Sequence, residues 1–103
     1  MLSGDPTRAV ATVDLDSIGA NFTRVGEVGV PVMAVVKADA YGHGVDRVAP
    51  WLRHVGAQWL GVALPTEALA LRASGDRGRV LAWLWSPGDR SIIDCVAADI
   101  DLS

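Results

Sequence analysis

Little in this sequence points outside the molecule. The 103 residues hold one cysteine, one tyrosine, one phenylalanine and no run of basic residues. The lone Cys95 cannot close an internal disulfide, so nothing indicates an oxidising compartment. With no second cysteine and no histidine near it, Cys95 reads as a small buried apolar residue rather than a reactive thiol. The net charge is −3 with acids and bases interspersed, which leaves no electrostatic footprint for nucleic acid or an anionic membrane surface. The longest apolar runs, such as Val80 to Trp85, are far too short to span a bilayer. The opening stretch Met1-Leu2-Ser3-Gly4-Asp5-Pro6-Thr7-Arg8 is polar and has no apolar core, so no secretory signal is expected and the default is a soluble cytoplasmic protein.

What is present is the composition of one small globular domain: half the residues are hydrophobic and a fifth are charged. Short apolar runs alternate with segments of helical spacing. Val10 to Leu15 reads as a first strand, with Asp16 and Ser17 as N-cap candidates for a helix carrying Leu15, Ile18, Phe22 and Val25 on one face. Val32 to Val36, preceded by Gly26, Gly29 and Pro31, has the pattern of a strand buried on both faces. A helix follows the Gly42-His43-Gly44 turn through Val45, Val48, Leu52 and Val55, with Pro50 expected to kink or split it. Trp59 to Leu64 is the next strand, and Pro65 opens a helix that Gly75 stops. Val80 to Trp85, a helix through Ile92, Ile93, Val96 and Ala97, and a strand from Asp99 to Leu102 complete the pattern. Strand ends near residues 37, 64, 85 and 102 are about one βα unit apart. Repeated βα units imply a parallel sheet, either open and doubly wound or closed into a barrel. A full eight-fold barrel takes roughly 250 residues, so the chain amounts to about half of one and stops within a strand, as a fragment would.

Lys37 is the residue whose placement asks for a chemical explanation. It ends an apolar strand at the carboxyl edge of the expected sheet, where loops and helix N-termini converge on ligands in α/β proteins. An amine beside apolar walls suits Schiff-base chemistry. The following helix would present backbone N–H groups to an anion, and Tyr41 adds a phenol four residues on. The alternative is a lysine that merely closes the strand and reaches out to water. A nucleotide-binding phosphate loop is excluded, because the lysine precedes the glycines and no hydroxyl residue follows it.

The run Ala34-Val35-Val36-Lys37-Ala38-Asp39-Ala40-Tyr41-Gly42-His43-Gly44 resembles the pyridoxal-phosphate attachment motif of bacterial alanine racemases. Ala11-Thr12-Val13-Asp14-Leu15-Asp16-Ser17-Ile18, Trp59-Leu60-Gly61-Val62-Ala63 with Glu67-Ala68-Leu69-Ala70-Leu71-Arg72, and Val80-Leu81-Ala82-Trp83-Leu84-Trp85 are similar to the same family, in the same order. Ornithine-decarboxylase-like enzymes and pyridoxal-phosphate homeostasis proteins share a lysine here but lack the Ala40-Tyr41-Gly42-His43-Gly44 continuation.

The resemblance implies a partial (β/α)8 barrel of about four βα units. Residues 1–103 would form the N-terminal part of the cofactor-binding barrel, with the C-terminal half-barrel and a β domain absent. It implies that Lys37 carries pyridoxal 5'-phosphate and acts as the base on one face of alanine, and that Tyr41 helps hold the cofactor phosphate. The product, D-alanine, would serve peptidoglycan. The second base, a tyrosine from the partner subunit of a homodimer, and an arginine facing the pyridine nitrogen have no counterpart here, so the isolated chain is expected to be inactive. A truncated non-catalytic remnant and a homeostasis protein of the same fold are the alternatives. Asp39 receives no catalytic part, His43 reads as a hydrogen-bonded turn residue and His54 as surface. Trp51, Trp59, Trp83 and Trp85 read as packing residues, with Trp83 or Trp85 available to line a cofactor ring.

Overall fold

The computed structural model describes residue 10 and residues 12–103. The elements are α1 (Leu15–Gly26), β1 (Met33–Val35), α2 (Lys37–Tyr41), α3 (Val45–His54), β2 (Trp59–Val62), α4 (Pro65–Ala73), β3 (Arg79–Ala82), α5 (Ser91–Ala97) and β4 (Asp101–Leu102). The strands make one parallel sheet in the order β1-β2-β3-β4. Residues paired in register share a face, and neighbours along a strand alternate between faces. Val35, Gly61, Leu81 and Asp101 therefore lie on one side, and Ala34, Leu60, Val62, Val80 and Ala82 on the other. That second side is sealed by helices: Leu60, Val62, Val80 and Ala82 pack with Leu52, Ala68, Leu71 and Cys95 in one core. Sequential strand order with the helices on a single face is the winding of a barrel. A doubly wound sheet would reverse its order and cover both faces.

The sheet departs from the expectation of doubly buried strands. Val35 is 38% exposed and Met33, Trp59 and Leu81 are half-buried, because only the helix-facing side is packed within these residues. The strand expected over Val10 to Leu15 is also not found. Residues 10 and 12–14 belong to no strand, and Leu15 already opens α1; Ala11 and the polar Met1 to Arg8 stretch lie outside the described residues. The cap of α1 is Asp14 rather than Asp16 or Ser17. Its carboxylate accepts the Ser17 N–H at 3.1 Å and the Ser17 hydroxyl at 3.0 Å, and these bonds hold its pKa below the ordinary carboxylate value. Pro50 neither splits nor ends α3. Its missing N–H frees the Asp46 carbonyl, and both residues sit on the exposed side, where water can take that bond. Cys95 is fully buried as expected; burial pushes its thiol pKa up, and Sγ points to the Pro65 carbonyl at 3.6 Å.

Gly19 is the buried contact of α1 with α3. A Cβ there would lie 2.6 Å from Trp51 Nε1 and 3.2 Å from Val55 Cγ1. The indole is rigid and its Nε1 is buried against α1, so α1 would have to back away. Gly19→Ala is expected to lower the unfolding free energy by about 1–2 kcal/mol, read from the urea midpoint, although alanine is the better helix former. A midpoint that rises would show that the interface yields.

Candidate functional site

The carboxyl ends of the strands gather Lys37 after β1, Ala63 and Leu64 after β2, and Trp83 to Trp85 after β3. Lys37 is the only lysine in the sequence and is half-buried. Its Nζ lies 5.9 Å from the centroid of the Tyr41 ring, which is itself 58% exposed. No carboxylate pairs with this ammonium among the described residues. The two expected site residues are thus side by side at one mouth. On the same side of the sheet as Val35, Gly61 leaves room for the Met33 and Trp83 side chains: a Cβ on Gly61 would sit 2.5 Å from Met33 Sδ and 3.0 Å from Trp83 Cζ3. Trp83 therefore reaches the uncovered face of the sheet. Trp59 stacks instead against Arg79, 4.5 Å away, and Trp85 donates through Nε1 to the Ser103 carbonyl at 2.7 Å.

The segment between Lys37 and α3 has a conformation the sequence did not foreshadow. Ala38, Asp39, Ala40 and Tyr41 all have left-handed φ, from 53° to 57°, and Gly42 and Gly44 continue with φ of 84° and 91°. A glycine accepts such angles freely, but each alanine or tyrosine gives up about 1 kcal/mol or more. Four in succession persist only because surrounding bonds over-determine them. The Ala40 N–H donates to Val36 O and the Gly42 N–H to Ala38 O, both at 3.0 Å. His43 Nδ1 lies 2.9 Å from Ala40 O, which is the turn role expected of it. Strain of this kind collects at functional sites, and here it lies directly beside the amine.

Two carboxylates brace this turn, and sequence reasoning assigned neither a role. Asp39 Oδ1 accepts the Val45 N–H at 2.8 Å. The N-terminus of α3, expected to receive an anion, is thereby engaged by a carboxylate of the chain itself, and Asp39 leaves little attraction there for a second negative charge. Glu67, in the first turn of α4, accepts the Ala38 N–H through Oε2 at 2.6 Å, and the Ala63 and Leu64 N–H groups through Oε1 at 3.2 and 2.8 Å. The bonds to Ala63 and Leu64 make Glu67 the cap of α4. Its reach to Ala38, 29 residues away, depends on β1 and β2 lying side by side.

A half-buried amine with no paired carboxylate beside a phenol suits a small aldehyde cofactor. His54 is exposed with its ring 5.2 Å from Trp51, away from this mouth. Among the described residues no cluster of His, Cys, Asp or Glu suits a metal ion, and no helix is long and apolar enough to cross a membrane.

Residues 13–103 match the family described as alanine racemase, N-terminal domain. The alanine racemase of Beutenbergia cavernae is 52% identical over 100 residues, which is 95% of this chain and 26% of that protein. The crystal structure of alanine racemase from Corynebacterium glutamicum superposes with a TM-score of 0.81 at 41% identity, covering 88% of this chain and 27% of that one. Alanine racemase from Bartonella henselae, solved with covalently bound pyridoxal phosphate, gives a TM-score of 0.81 at 30% identity over 94% of this chain and 28% of its own. The chain spans about a quarter of the length of the relatives it matches.

Proposed function

The chain belongs to the alanine racemase N-terminal domain family, and from that membership we propose that Lys37 carries pyridoxal 5'-phosphate in an enzyme interconverting L- and D-alanine. The observation that supports this most directly is the position of the chain's one lysine, at the carboxyl end of a barrel-type strand with its amine beside Tyr41. Residues 1–103 are then the N-terminal part of the cofactor-binding barrel. The rest of the site would come from a C-terminal half-barrel, a β domain and a partner subunit of a homodimer. A cytoplasmic enzyme supplying D-alanine for peptidoglycan accords with this reading.

In this assignment Lys37 Nζ would hold the cofactor and would carry the substrate Cα proton on one face. Tyr41 would offer its hydroxyl to the phosphate. The cofactor, when bound, supplies the electron sink that lets the Cα proton leave. Asp39 and Glu67 hold the peptide segments on which both side chains stand. Inversion needs a second base on the opposite face. The family resemblance makes that base a tyrosine of the partner subunit, and Tyr41, the only tyrosine in these 103 residues, lies on the Lys37 side and would not take that place.

Borohydride reduction in the presence of pyridoxal phosphate, followed by peptide mass mapping, tests the attachment. The expected adduct sits on the Lys37 peptide and is lost in Lys37→Ala with the circular dichroism spectrum unchanged. An adduct on another residue, or none in the unsubstituted protein, would overturn the assignment.

A further inference from the structure

Glu67 ties together two strand ends that the sequence keeps far apart. Its two carboxylate oxygens divide three donors between them: Oε2 takes the Ala38 N–H, and Oε1 takes those of Ala63 and Leu64. The second pair is local and caps α4. The first is not, because Ala38 is the residue directly after Lys37 and the first of the left-handed run. The peptide joining Lys37 to Ala38 is thus fastened at 2.6 Å to a charged group rooted in a neighbouring βα unit. Hydrogen bonds to ionised acceptors are the stronger ones, and this one acts where the backbone is least content with its own angles.

We propose that Glu67 is a positioning residue for the Lys37 amine: by clamping the Lys37–Ala38 peptide it fixes where the lysine side chain leaves the backbone. The inference rests on the reading of Lys37 as the cofactor lysine, but the clamp itself is observable without cofactor. Glu67→Gln separates its two duties. An amide has a single acceptor oxygen. Turned toward Ala63 and Leu64, it keeps the helix cap and sets its NH2 against the Ala38 N–H, where no bond can form. Glu67→Asp retains the charge but is shorter by one methylene.

The experiment measures hydrogen exchange at single amides in the intact protein, alongside borohydride trapping of pyridoxal phosphate on Lys37. In Glu67→Gln, protection of the Ala38 amide is expected to fall about tenfold or more while Ala63 and Leu64 stay protected, and the trapped fraction at subsaturating cofactor is expected to fall by about tenfold. Glu67→Asp is expected to lose Ala38 protection as well, which keeps the claim testable should the glutamine variant fail to fold. Unchanged Ala38 exchange in a folded variant whose Ala63 and Leu64 amides also stay protected would overturn the clamp, whereas lost protection at Ala63 and Leu64 alone would show the glutamine oxygen turned to Ala38. Lost Ala38 protection with undiminished trapping would overturn the positioning role and leave only a structural bond. If the unsubstituted protein takes no pyridoxal phosphate on Lys37, the cofactor reading fails and the positioning role fails with it; Ala38 exchange then reports separately on whether the clamp exists.

Discussion

Asp76→Ala is expected to lower the unfolding free energy by about 3 kcal/mol, read from urea titration at neutral pH. Asp76 stands at the amino ends of the strands, the end of the sheet opposite Lys37. Its carboxylate receives the Arg53 guanidinium as a fork, Nε and Nη2 each at 2.8 Å, with only 9% of the aspartate side chain exposed. Arg53 gives its remaining donors to the carbonyls of Ala57, Gln58 and Arg79, and so joins the approaches to β2 and β3. Arg72 reaches the carbonyls of Gly78, Ala98 and Asp99 and touches Asp76 Oδ2 at 3.4 Å, which adds the approach to β4. Removing the carboxylate leaves two half-buried guanidinium groups without their counter-charge, and that is the expensive way to break such a pair. A loss below about 1 kcal/mol would show that the carbonyls alone hold the arginines.

The same cluster sets a direction with pH. Burial alone would raise the Asp76 pKa, but the Arg53 hydrogen bonds and charge, the Arg72 charge and the Gly78 N–H outweigh it and hold the pKa below its ordinary value. A carboxyl depressed in the folded state stabilises the fold above its unfolded pKa of about 4 and loses that contribution as pH falls through the folded value. Between neutral pH and the acid limb, the Asp76→Ala variant is therefore expected to show a flatter stability profile than the parent. Two parallel profiles would remove Asp76 as the source.

The apolar periods were enough to place four strands and the helices α1, α3, α4 and α5, because each has a face that must be buried. Lys37 and Tyr41 stood out through the motif that resembles the family's, and the fold sets their side chains next to each other. Three features were hidden for physical reasons. The left-handed run contains two alanines, which disfavour that conformation; only Gly42 and Gly44 hinted at a tight path, and the conformation is imposed by bonds from Val36, Asp39 and Glu67. The reach of Glu67 to Ala38 and of Arg53 to Asp76 are pairings across strands, invisible to local spacing. The strand expected at Val10 to Leu15 rested on β-branched residues, a composition that a capped helix start at Asp14 overrode. The two acidic braces look like ordinary surface charge until the sheet has brought their partners to them.

The largest functional effect is expected from comparing Lys37→Ala with Tyr41→Phe in the full-length protein, because the two residues share a mouth but not a task. Lys37 Nζ is proposed both to attach the cofactor and to move a proton. A positioned base alone accounts for about 10²–10⁴ in rate, and covalent attachment adds to that. Alanine racemisation by Lys37→Ala is accordingly expected to fall by about 10⁴ or more, with little recovery at saturating pyridoxal phosphate. Tyr41→Phe removes one hydroxyl and keeps the ring that lies 5.9 Å from Nζ. A hydrogen bond to a charged phosphate contributes about 1.5–3 kcal/mol, so cofactor affinity should weaken by about 10- to 100-fold while the rate at saturating cofactor changes far less. Circular dichroism of each variant checks the fold, and cofactor titration separates occupancy from turnover. Should Tyr41→Phe lose its rate at full occupancy, the hydroxyl would belong to proton transfer rather than to phosphate binding. Should Lys37→Ala recover with added cofactor, the amine would be an anchor alone, and the first-face base would have to be sought among other groups.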